Sequence, residues 1–298
     1  MKPRLAFVLS GGGGRGALQV GALRALFEAG IFPEMLVGTS IGAANAAFIA
    51  LHGMSLSSID SLVEVWRSAA QSDLLPANYF WLTLRALFRW PATDTTSRLR
   101  DFLVTNGLRP DLRFEDLTCP LYVVAADLNS GQRVVFGDDP GYSVLEGVLA
   151  STALPPWVAP LEREGRWLMD GGAVSNLPLE AAMERGARRI IALDLSDWRD
   201  IPLETQGFGP FLGKLMTTVE MRHTELELAL VQSQEVEVRH ILLRAAQPVP
   251  LQEFRFSLDL IEQGYEIACR QVQHWQIEYP ESWWKRLARV TQERIRRL

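Results

Sequence analysis

The chain is expected to fold as an α/β protein with a mainly parallel central sheet and helices on both faces. Three observations carry this expectation. "RLAFVLS" (4–10) and "EMLVGTS" (34–40) are short apolar runs of the kind that form buried strands. Each ends in small residues and leads into an alanine- and leucine-rich segment with helical spacing. Strands that alternate with helices in this way pair in parallel, because a parallel return needs a crossover and a helix supplies it.

The elements follow in order. "GALQVGALRALFEAG" (16–30) sets Leu18, Gly21/Ala22, Ala25/Leu26 and Ala29 at helical spacing, with Gly30 as C-cap. "IGAANAAFIALHG" (41–53) is a second, alanine-rich helix that also closes in glycine. Residues 56–107 read as largely helical, a helical insertion over about 54–110. "LYVVAADL" (121–128) and "QRVVF" (132–136), joined by Asn129-Ser130-Gly131, read as a hairpin. "EGRWLMDGG" (164–172) carries a short strand into a turn, and "RRIIALDL" (188–195) is a buried strand. A long amphipathic helix (211–234), a strand (236–245) and helices at 257–275 and 281–297 complete the chain. The stretch 197–210 is the best candidate for a mobile loop. Nothing else reads as a linker, so 1–298 is expected to be one α/β domain, 184–298 completing the fold begun by 4–183.

With 48% hydrophobic and 22% charged residues in 298, the composition is that of a globular protein able to bury a large core. A net charge of −5 gives no general attraction for nucleic acid. Cys119 and Cys269 form no C-x-x-C pair, so neither a metal site nor a disulfide framework is expected, and a reduced, cytoplasmic compartment is the default. The apolar run at 5–9 is too short for a signal peptide, and no segment reaches the ~18 apolar residues of a membrane span. No cofactor is called for.

The chemistry begins at Gly38-Thr39-Ser40-Ile41-Gly42, which fits G-x-S-x-G between a predicted strand and a predicted helix. That context holds a serine in a strained turn with its hydroxyl exposed, and glycines two residues either side let the strand and helix backbones pass closely. The helix N-terminus favours the negative charge that develops beside Ser40. The bland alternative is a packing serine at a helix cap.

A glycine-rich loop precedes it: Gly11, Gly12, Gly13, Gly14, Arg15 and Gly16 lead from the first strand into the first helix. Adjacent parallel strands put this turn and the Ser40 turn at the same sheet edge, where α/β sites form. Bare backbone N–H groups there can donate to a developing oxyanion, and removing one such donor costs ~10²–10³ in rate. The rival is a dinucleotide loop, since Gly11, Gly13 and Gly16 match G-x-G-x-x-G. The acid that should end the second strand is missing there; Glu34 begins that strand and Ser40 ends it.

A serine nucleophile needs a base. His52 falls ~18 Å along the helix after Ser40. His223 belongs to the amphipathic helix, His240 to a strand, and His274 to a helix end; none is framed by a glycine turn. "WLMDGGAVSNLP" (167–178) offers Asp170, at a predicted strand end before Gly171 and Gly172. Alone it reads as an ordinary Asp-Gly turn. Beside an elbow and an anion-binding loop, a carboxylate base is the better reading. A histidine-dependent α/β-hydrolase stays as the alternative, although that fold places several strands before its nucleophile and only about one precedes here.

"GGGGRG", "GTSIG" and "DGG", in this order, resemble the motifs of the patatin-like phospholipase family of lipid acyl hydrolases. "ASTALPPWVAP" (150–160) and "AADLNSGQRVVF" (125–136) are similar to further family segments, so the resemblance covers roughly 4–183. It implies a three-layer fold and a Ser–Asp dyad without histidine. Ser40 would be the nucleophile and Asp170 the proton acceptor. Backbone amides of Gly12 and Gly13, with neighbours in the loop and support from Arg15, would form the oxyanion hole. The reaction implied is hydrolysis of a phospholipid, lysophospholipid or other fatty-acyl ester through an acyl-enzyme. Ser10 departs from plant members, which carry aspartate there.

Two apolar features bear on the substrate. Tyr79, Phe80, Trp81, Phe88 and Trp90 could form a lid over 79–91, or simply pack a helical layer. The C-terminal stretch 283–298 has six basic residues and one acid, with Trp284, Ala288, Thr291, Ile295 and Leu298 roughly on one face. It is a candidate for peripheral membrane contact; a terminal helix docked through Trp283 and Trp284 is the plainer reading.

Overall fold

In the computed structural model the described residues are 4–72, 74, 93–155, 157–200 and 208–278. Eight strands form one sheet: β1 (Arg4–Leu9), β2 (Met35–Thr39), β3 (Leu121–Asp127), β4 (Arg133–Phe136), β5 (Leu161–Arg163), β6 (Arg166–Asp170), β7 (Ala187–Asp194) and β8 (Glu237–Leu242). Their order is β5-β6-β3-β2-β1-β7-β8, with β4 paired to β3 off that path. The run β3-β2-β1-β7-β8 is parallel throughout, and β4, β5 and β6 add antiparallel pairs at one side. The expected mainly parallel sheet is therefore present, and the part of the chain after residue 184 supplies both β7, next to β1, and β8.

Eight helices are described: α1 (Ala17–Glu28), α2 (Ile41–His52), α3 (Leu56–Ala70), α4 (Thr93–Thr105), α5 (Val144–Ser151), α6 (Leu179–Glu184), α7 (Phe208–Ser233) and α8 (Ser257–Glu278). They cover both faces, because the central strands are apolar on both. In β1, Leu5, Phe7 and Leu9 join one core with residues of α1, α2, α3, α5 and α8. The intervening Ala6 and Val8 join a second core with Leu179, Ala181 and Ala182 of α6 and Val231 of α7. This alternation is the period of two that a strand imposes.

The register of β3 positions the site. β2 pairs with Leu121–Val124, β4 with Val123–Ala126 and β6 with Ala125–Asp127. A strand has two edges, so β4, which overlaps both others, takes one edge and β2 and β6 share the other. β2 runs parallel to β3 and ends with Thr39 opposite Val124. β6 runs antiparallel and ends with Asp170 opposite Ala125. The C-terminal ends of β2 and β6 thus meet head to head.

β5, α5 and α6 are absent from the sequence reading. β5 has three residues and α6 six, too few for a periodic signal. α5 has eight residues, seven of them buried, so no polar face marks it as a helix. The aromatic stretch 79–91, read as a lid or a packed helical layer, the loop centre 201–207 and the final helix at 281–297 lie outside the described residues.

Candidate active site

Ser40 links β2 to α2 with φ 54° and ψ −126°, outside the regions that non-glycine residues ordinarily occupy. The turn is held from both sides. Ser40 N–H donates to Ser151 Oγ at 2.8 Å, and Ser151 Oγ donates to the Val124 carbonyl at 2.6 Å. The Ser40 carbonyl accepts from the N–H of Ala43 and Ala44 as α2 begins. Gly38 and Gly42 permit this packing: a β-carbon on Gly42 would lie 2.3 Å from the Leu9 carbonyl oxygen, and one on Gly38 2.6 Å from Ala43 N.

Ser40 Oγ donates to Asp170 Oδ2 at 2.5 Å. Asp170 is buried, and its other oxygen accepts the Gly172 N–H at 2.8 Å. Burial pushes its carboxyl up to about 6, although the hydrogen bonds from Ser40 and Gly172 pull the other way. Gly171 accepts at its carbonyl from Val174 and Ser175, which closes the turn after Asp170.

The glycine loop lies against this pair. Its N–H groups divide into two sets. Gly11 donates to the Asn176 carbonyl at 3.1 Å, Gly14 to the Leu251 carbonyl at 2.7 Å, and Arg15 to the Gly12 carbonyl at 3.2 Å. Among the described residues the N–H groups of Gly12 and Gly13 have no partner. Gly13 has φ 56°, and a β-carbon there would lie 2.2 Å from the Leu251 carbonyl oxygen. The Arg15 side chain is buried, and its Nε donates to the Gly12 carbonyl, so it clamps the loop from within. Gly16 offers its carbonyl to Asn45 Nδ2 at 3.0 Å. Buried Ser10 accepts the Leu195 N–H and donates to the Gly11 carbonyl, a structural role that a hydroxyl fills.

Several supporting residues escaped the sequence reading. Gln19 Nε2 donates to the carbonyls of Ser10 and Leu193. Asn45 donates to Gln19 Oε1 and accepts from Trp66 Nε1, both at 3.0 Å. This buried chain ties α1, α2 and α3 to the loop. The signal was available: Gln19 and Asn45 are lone polar residues inside apolar helical stretches. On the other side, Thr39 Oγ1 donates to the Ser175 carbonyl at 2.8 Å, and Ser175 Oγ donates to Glu227 of α7. Glu227 also accepts the Glu180 N–H, and burial pushes its carboxyl up to about 7.

A cavity opens from Ser40, Gly11, Gly12, Gly13 and Asp170. Its wall is apolar: Ile41, Ala44 and Phe48 of α2, Leu62, Val65, Trp66 and Ala69 of α3, and Leu99, Phe102 and Leu103 of α4. Asn176 and Glu220 stand at the polar end, beside Asp170. No described histidine lines it. His240 is hydrogen-bonded to Asp194 at 2.8 Å, and His52 packs on Phe48 at the far end of α2.

Fold and site together define a class: an α/β sheet with a serine on a strained strand-to-helix elbow, bonded to a buried aspartate from a neighbouring strand. The chain belongs to the patatin-like phospholipase family, whose model matches residues 7–183. It is 31% identical over 205 residues to patatin-like phospholipase domain-containing protein 6 of Homo sapiens and 32% identical to protein 7 of Rattus norvegicus. Over 203 residues it is 27% identical to the lysophospholipase NTE1 of Mycosarcoma maydis. These alignments cover 66–68% of this chain but only 10–14% of those much longer proteins. The solved structure of VipD from Legionella pneumophila aligns with 92% of this chain and 67% of its own, at 15% identity and a TM-score of 0.49. No helix among the described residues is long and apolar enough to cross a membrane.

Proposed function

We propose that the chain is a serine lipid acyl hydrolase that works through a Ser40–Asp170 dyad and an acyl-enzyme. The observation that carries this reading is the Ser40 Oγ to Asp170 Oδ2 hydrogen bond, made in an apolar cavity also lined by Gly12 and Gly13, whose N–H groups have no partner among the described residues. Family membership supports a fatty-acyl ester as substrate.

The geometry supports the following cycle. The acyl chain lies along the apolar wall and the ester carbonyl oxygen points at the N–H groups of Gly12 and Gly13. Asp170 takes the Ser40 proton as Oγ bonds to the carbonyl carbon. The tetrahedral oxyanion is stabilised by the two amides and by the N-terminal end of α2. Collapse breaks the ester C–O bond, and Asp170 returns the proton to the leaving alcohol oxygen. A water, deprotonated by Asp170, then attacks the acyl-enzyme, and Ser40 regains its proton as the fatty acid leaves. A carboxyl held near 6 by burial is a stronger base than a solvated aspartate yet ionised at neutral pH.

The test is labelling with a fluorophosphonate followed by peptide mapping. The adduct is expected on Ser40 and absent in Ser40→Ala. Label elsewhere, or none, removes the reading.

A further inference from the structure

Ser175 stands between the two halves of the dyad. Its carbonyl accepts from Thr39 Oγ1 at 2.8 Å, and Thr39 is the residue before Ser40. Its N–H donates to the Gly171 carbonyl at 2.8 Å, and Gly171 is the residue after Asp170. The next residue, Asn176, offers its carbonyl to the Gly11 N–H of the glycine loop. Apart from the threonine hydroxyl these are all backbone groups, so the approach of Ser40 to Asp170 follows wherever the backbone of 171–176 is held.

The side chain that holds this segment from outside is Glu227 of α7. One of its oxygens accepts from the Ser175 hydroxyl. The other accepts the Glu180 N–H at 2.8 Å, one of the donors that the first turn of α6 leaves over. Glu227 and Ser175 are both buried. Arg133 of β4 approaches the carboxylate, but its guanidinium is held by Glu180 and Glu184 at 2.6 and 2.7 Å. Burying a carboxylate that has no cation of its own costs free energy, so stability does not explain its presence. Glu227 lies beyond residue 183, where the family match ends, and it does not line the cavity.

We propose that Glu227 is a positioning residue for the reaction: through Ser175 it fixes Thr39 and Gly171, and with them the approach of Ser40 Oγ to Asp170. The inference rests on the Ser40–Asp170 reading and concerns a group that touches neither the substrate nor the reacting atoms. A misplacement of about 1 Å at a reacting centre costs on the order of a hundredfold in rate. Loss of Glu227 therefore shows in kcat. KM stays, because the apolar wall is built by α2, α3 and α4 and Glu227 is no part of it.

The test measures kcat and KM for p-nitrophenyl decanoate at pH 8, above the value of about 7 to which burial pushes the Glu227 carboxyl. Sites are counted by fluorophosphonate labelling carried to completion, so kcat is per competent serine and a merely less stable protein keeps the wild-type value. Glu227→Leu is expected to lower kcat about a hundredfold with KM within about twofold of wild type. Glu227→Gln can still accept the Glu180 N–H and can donate to Ser175 Oγ, so its kcat should stay within about threefold of wild type. Ser175→Ala breaks the relay at its other end, should lower kcat about tenfold, and carries the test if Glu227→Leu does not fold. The double variant should be no slower than the slower single one, as for members of one unit. The positioning role is overturned, and the hydrolase reading left intact, by a kcat within about threefold of wild type in folded Glu227→Leu or in Ser175→Ala. A loss carried by KM alone, a glutamine variant as slow as the leucine one, or single losses that multiply in the double variant overturn it equally. If the wild-type chain cleaves no ester and Ser40 takes no fluorophosphonate, the hydrolase reading fails and this inference falls with it.

Discussion

Ser40 and Asp170 stand at the ends of two strands that run toward each other along one edge of β3. β2 delivers Thr39 opposite Val124, β6 delivers Asp170 opposite Ala125, and the next residue after Thr39 is the strained serine. Their contact is fixed by backbone register rather than by flexible side chains.

That arrangement predicts a base without histidine. Ser40→Ala and Asp170→Asn should each lower p-nitrophenyl ester hydrolysis by about four orders of magnitude or more, the scale seen when a member of such a unit is removed. His52→Ala, His223→Ala, His240→Ala and His274→Ala should each keep activity within about threefold, because no described histidine lines the cavity. His240 has a different task, since it is hydrogen-bonded to the buried Asp194. One essential histidine would sink the dyad.

The second prediction is the pH profile. In the proposed cycle Asp170 works ionised, and burial pushes its carboxyl up to about 6. The kcat/KM of the free enzyme should fall tenfold per pH unit below about 6 and level off above it. Initial rates between pH 4 and pH 8 measure this. An acid limb centred near pH 4, as for a solvated aspartate, would contradict the buried base.

Part of this site was legible in the sequence, and the physical reason is locality. The Ser40 elbow and the glycine loop are contiguous strand–turn–helix units, and their glycines record close contacts with Leu9 and Leu251. The contact of Ser151 with Ser40, and the approach of Glu220 of α7 to Asp170, join elements far apart in the chain, for which one sequence has no local signal. The resemblance already pointed to Gly12 and Gly13, but what occupies the other amides of the loop was hidden. Only the fold shows that Gly11 and Gly14 spend their N–H groups on Asn176 and Leu251, which narrows the available donors to Gly12 and Gly13.

The third prediction concerns the elbow itself. A methyl group on Gly42 would lie 2.3 Å from the Leu9 carbonyl and 2.6 Å from the Ser10 carbonyl, both backbone atoms of β1 and its loop that cannot swing aside. Gly42→Ala should cost about 3 kcal/mol or more of stability, the range of severe overpacking. It should also displace α2 from the loop that Gly16 and Asn45 join. Denaturant unfolding measures the cost, and a loss under about 1 kcal/mol would show that the turn is looser than its contacts imply.

The fourth prediction is a stability effect of the same carboxylate that the proposed cycle uses as base. The folded state raises Asp170 from 3.8 to about 6, so it holds the proton more tightly than the unfolded chain does. Stability tied to this group is therefore full below pH 3.8 and is lost as pH rises through about 6. Asp170→Asn cannot ionise and escapes the loss. Relative to wild type it should gain about 3 kcal/mol at pH 8 over its standing at low pH, from about two pKa units. Melts at pH 4 and pH 8 compare the two, and parallel curves would remove the argument.

The last prediction tests the apolar wall. Ile41, Ala44 and Phe48 repeat along the cavity face of α2, and at 1.5 Å per residue Phe48 stands about 12 Å along the helix from Ser40, with Ala44 about 6 Å away. A fatty-acyl chain attached at Ser40 has to pass Ala44 before it reaches Phe48, whereas an acetyl group stops short of both. Ala44→Leu adds three carbons to this path. The ratio of kcat/KM for p-nitrophenyl decanoate over p-nitrophenyl acetate should fall about tenfold, since each methylene excluded from an apolar pocket forfeits about 0.8 kcal/mol. Phe48→Ala should move the ratio the other way by opening the far end. If both variants leave the ratio at its wild-type value, the acyl chain does not lie along α2, and the cavity has some other occupant.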